Sequence, residues 1–218
     1  MVKAVFLDID GTLMDTNYLH IEAWAQAFEE VGARSPRSRI HHEVGKGSDK
    51  LIPKFVEDGK AKRVSELHSE HYAKLQERGH PLPGANELIA SLVEGATRSG
   101  WPPAPSPRNW STTCRNSGQR VRSPESSLRT KPRSPNRPRH LRARPGAGGV
   151  SPEDAVVVGD SIWDIAAAKE AGVRAAAVMT GGAFSRAELE EAGAYAVYED
   201  CHELLNDDSP EKSNPTDS

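Results

Sequence analysis

Short apolar runs and amphipathic stretches alternate along both ends of the chain. Residues 3–9 and 155–158 are apolar runs of strand length, which predicts two buried strands. Residues 18–31, 62–78 and 86–94 carry apolar side chains at helical spacing and are predicted to form helices. Beyond residue 158 the alternation continues as helix, strand, helix and strand, so the pattern predicts an α/β fold with a parallel sheet. Ser185 and Glu188 have the spacing of a capping box at the start of the second of these helices.

The middle of the chain, residues 95–149, breaks this pattern. It contains no Ile, Phe, Tyr, Met or Asp, and Arg, Pro, Ser and Gly dominate it. Its eleven Arg, one Lys and one Glu give it a net charge of +11, although the whole chain has a net charge of −3. Such a segment cannot bury enough apolar surface to offset its conformational entropy, so it is predicted to be irregular or disordered.

The rest of the composition is typical of one globular domain, or of a core with a small insert. The 218 residues are enough to bury a core. Cys114 and Cys201 are too few and too far apart for a disulfide framework or a thiolate metal site. No apolar run is long enough to span a bilayer, and the apolar N-terminus is predicted to be a strand and not a signal peptide. We therefore expect a soluble, cytoplasmic protein without a membrane partner.

Acidic residues follow two of the predicted strands. Asp8 and Asp10 stand one residue apart at the end of the first strand, and Asp160 and Asp164 follow the apolar run that ends at residue 158. Asp160 and Asp164 are four positions apart, so they would share one face of a helix that starts there. In parallel α/β sheets the carboxyl ends of the strands face the crevice in which ligands bind. Clustered acids repel each other unless a cation lies between them, and Mg²⁺ prefers a few carboxylates together with phosphate oxygens and water.

Each half of this acidic pattern also has a simpler interpretation. Asp8-Ile9-Asp10-Gly11 is common in turns and calcium loops, and Gly159-Asp160 is common as a helix cap. Two acidic groups that both follow apolar strands favour catalysis instead. An Asp can attack phosphorus as a nucleophile, and a neighbouring acid can serve as general acid and base. The four acids together therefore predict a Mg²⁺-dependent phosphoryl-transfer site.

The segments Phe6-Leu7-Asp8-Ile9-Asp10-Gly11-Thr12-Leu13 and Val157-Val158-Gly159-Asp160-Ser161 resemble motifs I and IV of the haloacid-dehalogenase-like hydrolases. The resemblance implies a Rossmann-like parallel sheet with an inserted small helical cap. It extends over about residues 1–94 and 150–205, and it divides the chain into a core at residues 1–13 and 84–205, a cap at 14–82, and a disordered tail at 206–218.

The resemblance also implies roles for the four acids. Asp8 would be the nucleophile and Asp10 the general acid and base. Mg²⁺ would be bound by Asp8, the backbone carbonyl of Asp10 and Asp160, with Asp164 in support. The dehalogenases of this superfamily lack the second acid of motif I, so Asp10 favours phosphoryl transfer over dehalogenation.

Three further residues are candidates for substrate binding. Gly11 and Thr12 belong to motif I, which the resemblance places beside the substrate. Lys46 stands in Gly45-Lys46-Gly47-Ser48-Asp49-Lys50, which resembles the cap loop that approaches the substrate in phosphoglycolate-phosphatase-like and phosphoglucomutase-like members. A solvated lysine explains Lys46 equally well.

The implied function is hydrolysis of a small phosphorylated metabolite through an aspartyl-phosphate on Asp8. Three alternatives stay open: a phosphosugar mutase of the same superfamily, a catalytically inactive or misfolded product, and a basic insert that binds nucleic acid. The last is not expected, because only Trp101 and Trp110 interleave the arginines of the middle segment. The sequence gives neither the substrate nor the oligomeric state.

Two motifs that the family needs are missing from the middle segment. Motif II is a Ser or Thr after a second strand, and motif III is a Lys that offsets the charge of nucleophile and phosphate. Lys131-Pro132 resembles motif III only superficially, because no amphipathic helix follows it.

We hypothesise that residues 95–149 are translated out of frame. Codons compatible with residues 95–104 can be read from the third base as Gly-Tyr-Lys-Val-Gly-Val-Ala-Thr-Ser, which has the form of motif II. Similar shifts near residues 135–149 give Lys-Pro-Ala-Pro-Asp and an amphipathic helix.

The reading-frame hypothesis makes a prediction about the coding DNA. Sequencing from the codon of Glu94 to the codon of Val150 should find missing bases near both borders and near Pro138, adding up to one codon. A coding sequence that agrees with the printed residues would contradict the hypothesis, and the Arg/Pro-rich segment would then be genuine.

Overall fold

The computed structural model describes residues 2–57, 59–98 and 151–207, which divide into two units. Unit 1 comprises residues 2–13, 82–88 and 151–207, and unit 2 comprises residues 14–57, 59–81 and 89–98. Each unit has its own cluster of buried apolar side chains. The predictions for the out-of-frame segment from residue 99 onward, and for the tail from residue 208 onward, lie outside the described residues.

Unit 2 is built from helices. They are α1 (Asn17–Glu30), α2 (Arg37–His41), α3 (Ser48–Leu51), α4 (Ala61–Leu75) and the greater part of α5 (Ala85–Arg98), with short 3-10 turns at Ile52–Lys54 and Gln76–Arg78. The core forms where apolar residues at helical spacing on α1, among them Trp24 and Phe28, meet Val64 and Leu67 of α4. The helices predicted at residues 18–31, 62–78 and 86–94 are therefore confirmed, with shifted ends.

Four rings connect α1 to α4 within unit 2. His68 stacks on Trp24 and His20 stacks on Tyr72, each with ring centroids 3.8 Å apart. The Nδ1 atom of His20 lies 3.1 Å from the Nε2 atom of His68, so one imidazole donates a hydrogen bond to the other. This polar contact sits among half-buried rings and fixes how the two helices are aligned along each other.

Unit 1 contains a four-stranded parallel sheet. Its strands are β1 (Ala4–Leu7), β2 (Ala155–Gly159), β3 (Arg174–Val178) and β4 (Ala196–Tyr198), and they lie in the order β1-β2-β3-β4. Every residue of β2 is buried, which fits its continuous apolar sequence, since a central parallel strand is covered on both faces. The predicted α/β fold with a Rossmann-like parallel sheet is thus confirmed.

Three helices follow the strands of unit 1. They are α6 (Ile162–Glu170), α7 (Arg186–Ala192) and α8 (Cys201–Asn206), so Asn206, where the predicted tail begins, ends a helix. The capping box predicted at α7 is present, because Ser185 Oγ accepts from the Glu188 N–H and the Glu188 carboxylate accepts from the Ser185 N–H. None of the helices in the described parts of the chain is long and apolar enough to cross a bilayer.

A buried thiol offers a test of whether unit 1 folds in this chain. Cys201 at the start of α8 has no exposed surface, and its Sγ lies 3.6 Å from the carbonyl oxygen of Thr12. Burial, together with the charge of Asp200, raises the pKa of Cys201 to about 11. Since the thiolate is the reactive form, both effects slow alkylation.

We therefore expect iodoacetamide at pH 8 to alkylate Cys201 at least about 100-fold more slowly in native buffer than in urea. The measurement is peptide mass spectrometry on the variant Cys114→Ser, with Ser69→Cys added as an exposed reference thiol. Alkylation of Cys201 at the rate of the reference thiol would mean that unit 1 does not fold around Thr12.

Candidate active site

Neighbouring strand ends bring Asp8 and Asp160 together. Asp8 follows β1 directly, and its backbone N–H donates to the carbonyl of Val158 at 2.9 Å, which continues the ladder by one residue. Asp160 follows the last residue of β2. Adjacent parallel strands end at the same edge of the sheet, so both side chains reach the carboxyl edge, where α/β proteins bind ligands.

Three carboxylates form a compact cluster at this edge. One oxygen each from Asp8, Asp160 and Asp164 lie within 4.8 Å of one another. Asp160 is 5% exposed and Asp164 is 2% exposed, whereas Asp8 is half-buried. Burying like charges this close is unfavourable without a cation. The grouping predicted for these three acids is therefore present in the structure, while their roles stay predictions.

The cap of α6 positions Asp164. Its carboxylate oxygen Oδ2 accepts hydrogen bonds from the Oγ of Ser161 at 2.6 Å and from the N–H of Ser161 at 3.2 Å. The Asp164 N–H in turn donates to Ser161 Oγ, which completes a capping box. The helix begins at Ile162, so Asp160 precedes it, and the two acids do not share a helical face as their spacing had suggested. Their proximity instead results from the cap.

A glycine at the end of β2 allows Asp164 to come close to the strand. A Cβ atom placed on Gly159 would lie 2.5 Å from both Cβ and Cγ of Asp164. Real Cβ contacts are essentially never this short, so any side chain at Gly159 would push the start of α6 away from the sheet. Gly159 is thus part of the packing that sets the distance between Asp164 and the other acids.

Thr12 supports Asp160 from the loop after β1. The Thr12 side chain has no exposed surface, and its Oγ1 donates to Asp160 Oδ1 at 3.2 Å. Gly11, which precedes it, has a φ of 83°, a left-handed conformation that glycine adopts without strain. Substrate binding by Gly11 and Thr12 stays a prediction, and it would involve their backbone groups, because the hydroxyl of Thr12 is occupied by Asp160.

The electrostatics of the site are dominated by burial and by mutual repulsion. Burial raises the pKa of Asp8 well above its usual range, and the charges of Asp164, Asp160 and Asp10 raise it further, in that order. The backbone hydrogen bond from Ile9 acts in the opposite direction. Asp10 is half-buried and lies outside the group of three oxygens, but its charge still acts on Asp8.

Lys46 belongs to unit 2, where it forms an ion pair with Glu43. Both side chains are largely buried, with 12% of Lys46 and 20% of Glu43 exposed, so Lys46 is not simply a solvated lysine. Gly45 and Gly47 on either side have φ values of 95° and 84° and form the turns that present it. Contact between Lys46 and a substrate stays a prediction.

Several supporting residues were missed by the sequence analysis. Ser161 had a readable signal, because Ser and Asp three residues apart before a helix are typical of a capping box. Thr180 and Gly181 had none. Thr180 Oγ1 donates to the carbonyl of Gly11 at 2.6 Å, and Gly181 lies against Asp160. These contacts join residues that are far apart in sequence, so no local sequence pattern predicts them.

The cluster fits a hard divalent cation. Carboxylate oxygens are the ligands that Mg²⁺ prefers, and oxygens around an octahedral Mg²⁺ are on the order of 3–4 Å apart, close to the spacing found here. A cation would also offset the repulsion that raises the pKa of Asp8. Among the residues that the structure describes, Asp8, Asp160 and Asp164 are therefore the group of side chains that could hold a metal ion.

Two family models match the chain. A haloacid dehalogenase-like hydrolase model matches residues 2–97, and a HAD-hydrolase-like model matches residues 129–204. The two matches leave residues 98–128 uncovered, and the second includes Lys131. The first match contains Asp8 and Asp10, and the second contains Asp160 and Asp164.

Individual relatives agree with these matches. A phosphoglycolate phosphatase from Nitrosospira multiformis is 32% identical over 107 residues, covering 44% of this chain and 47% of that protein. The chain thus matches about half the length of this curated relative. A hydrolase from Pseudomonas syringae is 27% identical with a TM-score of 0.69, covering 93% of this chain and 96% of the other.

CbbY from Rhodobacter sphaeroides, solved in complex with phosphate, has the same fold. It is 23% identical with a TM-score of 0.64, covering 94% of this chain and 96% of the other. At that identity the likeness extends to the fold alone. The motif resemblance, the two family models and the fold agree, and the chain belongs to the haloacid dehalogenase-like hydrolases.

Proposed function

We propose that the protein is a Mg²⁺-dependent phosphatase that hydrolyses a small phosphorylated metabolite through an aspartyl-phosphate on Asp8. The observation that carries this proposal is the cluster of Asp8, Asp160 and Asp164 at the carboxyl edge of the sheet. Membership of a hydrolase superfamily and the similarity to a phosphoglycolate phosphatase over part of the chain support it.

Asp8, Asp160 and Asp164 would hold the metal ion, together with the backbone carbonyl of Asp10. When bound, Mg²⁺ supplies positive charge that offsets the negative charge of the carboxylates and of the phosphate. The buried hydrogen bonds of Asp160 and Asp164 keep both side chains oriented before any ligand arrives. Such preorganisation lowers the cost of assembling the site during the reaction.

Asp8 and Asp10 would carry the chemistry. A carboxylate oxygen of Asp8 attacks phosphorus, the bond from phosphorus to the leaving oxygen breaks, and Asp10 gives its proton to that oxygen. Water then attacks the phosphorus of the aspartyl-phosphate while Asp10 takes up its proton. The bond to Asp8 breaks, and inorganic phosphate and the free Asp8 carboxylate result. If a sugar hydroxyl replaces water in the second step, the outcome is phosphoryl transfer, as in a mutase.

Unit 2 would act as the cap that selects the substrate. Its Lys46, oriented by Glu43, is our candidate for contact with a negatively charged group of the substrate. A small phosphorylated metabolite is the substrate class that we infer, since the partial relative is a phosphoglycolate phosphatase.

The first test replaces the proposed nucleophile. Asp8→Asn removes the nucleophilic charge, so hydrolysis of p-nitrophenyl phosphate with Mg²⁺ should fall by at least about 1,000-fold. The same change should raise the free energy of unfolding of the metal-free protein by roughly 0.5–2 kcal/mol at neutral pH, because it removes a repelling charge. Phosphate release and urea denaturation measure the two effects.

Asp154→Asn is the matched control for this test. Asp154 precedes β2, at the opposite end of the strand from Asp160, and pairs with the half-exposed Lys3. Its substitution should leave turnover unchanged and affect stability little. Turnover that survives in Asp8→Asn would contradict the nucleophile. An unmodified chain that folds but releases no phosphate would favour the inactive-product alternative.

The second test separates metal binding from proton transfer. Mg²⁺ at about 100 times its dissociation constant should stabilise the metal-loaded protein by about 2.7 kcal/mol, which thermal unfolding detects. Asp160→Asn should lose this stabilisation, because a metal ligand is gone. Asp10→Asn should retain much of it and still lose turnover, since the carbonyl of residue 10 is the expected ligand. Equal stabilisation of the unmodified protein and Asp160→Asn would contradict the metal site.

A further inference from the structure

The 3-10 turn Met179–Gly181, which follows β3, contacts the loops after β1 and β2. β3 lies beside β2 in the sheet, so the turn emerges at the same edge as the carboxylate cluster. Neither the family motifs quoted above nor the proposed chemistry gives this turn a role. Thr180 contacts Gly11 in the loop after β1, and Gly181 lies against Asp160 of the cluster.

Thr180 holds the loop that follows the proposed nucleophile, Asp8. Its Oγ1 donates a hydrogen bond of 2.6 Å to the carbonyl oxygen of Gly11, which is near the short end of the normal range for a hydroxyl donor. Gly11 is buried and turns the chain between Asp10 and Thr12. The bond therefore fixes the backbone that sets the direction of Asp10 on one side and of Thr12 on the other.

Gly181 leaves the space that Asp160 occupies. A Cβ atom on Gly181 would lie 1.7 Å from Asp160 Oδ2 and 2.8 Å from its Cβ. The φ angle of Gly181 is not positive, so its backbone conformation is open to alanine, and the atoms nearest to an added methyl group belong to Asp160. The other oxygen of this carboxylate, Oδ1, accepts from Thr12, so Asp160 cannot turn away from a new methyl group without losing that bond.

We propose that Thr180 and Gly181 are positioning residues for the metal-binding carboxylates. Thr180 fixes the Asp10–Thr12 loop, and Gly181 fixes the position of the Asp160 carboxylate between itself and Thr12. The inference rests on the proposed function for its metal, but the geometry of the loop can be measured without one. A turn that served only for packing would change stability and leave metal affinity and loop protection unaltered.

Hydrogen exchange tests the role of Thr180 in the metal-free protein. The Leu13 N–H, which donates to the carbonyl of Ile9 at 3.0 Å, reports on the order of the loop. In Thr180→Val, which keeps the shape and removes the donor, exchange in a peptide spanning residues 8–14 should be at least tenfold faster. Thr180→Ser should restore the protection. Ser69→Ala, which removes a hydroxyl bonded to the Ser65 carbonyl of α4, is the control and should leave the peptide unchanged.

Manganese binding tests the role of Gly181. Electron paramagnetic resonance of Mn²⁺, with Mg²⁺ as competitor, should show at least tenfold weaker binding in Gly181→Ala than in the unmodified protein. The melting temperature of metal-free Gly181→Ala distinguishes displacement of Asp160 from unfolding: we expect a cooperative transition to persist.

The outcomes separate the two proposals. Unchanged exchange in Thr180→Val together with unchanged Mn²⁺ affinity in Gly181→Ala would overturn the positioning role. An unmodified protein that binds no Mn²⁺ would contradict the metal of the proposed function. In that case the exchange data alone decide whether Thr180 orders the loop.

Discussion

The repulsion among three clustered carboxylates is the constraint on which the rest of the site depends. Asp8, Asp160 and Asp164 present oxygens within 4.8 Å of one another, and two of the three side chains are almost fully buried. Such a group lowers the stability of the metal-free fold, because each charge raises the free energy of the others. The fold tolerates it where parallel strands end, since the ladder between β1 and β2 fixes the backbone on both sides.

Neutral groups hold two of the three acids in place. Ser161 binds Asp164, Thr12 binds Asp160, and the absence of side chains at Gly159 and Gly181 allows both acids to pack closely. These hydroxyl donors and glycines orient the oxygens without adding a charge of their own. An arginine or lysine at the same places would bind the carboxylates more strongly and would compete with a metal ion for them. The hydroxyl groups and glycines that orient Asp160 and Asp164 are therefore suited to a site that binds a cation.

The sequence predicted most of unit 1 because its strands are continuous apolar runs and its helices have clear caps. Ala155–Gly159 and the capping box of Ser185 are both local signals, and both are found in the structure. The five-residue helix Arg37–His41 escaped prediction, because a single buried Ile40 gives no periodicity. Thr180 escaped for a different reason. Its partner Gly11 is 169 residues away, and only the pairing of the strands brings the two together.

The two acidic residues after β2 were correctly predicted to lie close together, although the helical geometry from which this was predicted is wrong. Asp160 and Asp164 are four positions apart, which suggested a shared helical face. The helix instead begins at Ile162, and the capping box of Ser161 draws Asp164 back toward the strand. A turn and a helix cap, and not a shared helical face, therefore bring the two carboxylates together. Sequence spacing predicted that the acids meet, and only the backbone could tell how.

Charge balance distinguishes the proposed metal binding from the proposed turnover. Three carboxylates and a phosphate group carry more negative charge than one divalent ion neutralises, so the proposed reaction needs a further cation near the phosphate. The resemblance assigns that cation to a motif III lysine. Lys131 falls within the second family match, whereas the reading-frame hypothesis places the lysine in a different frame. The described carboxylates come from both sides of this segment, in residues 2–13 and 151–207. Under the proposed function, metal affinity therefore tests these carboxylates, and turnover tests in addition whether a correctly placed lysine lies between them.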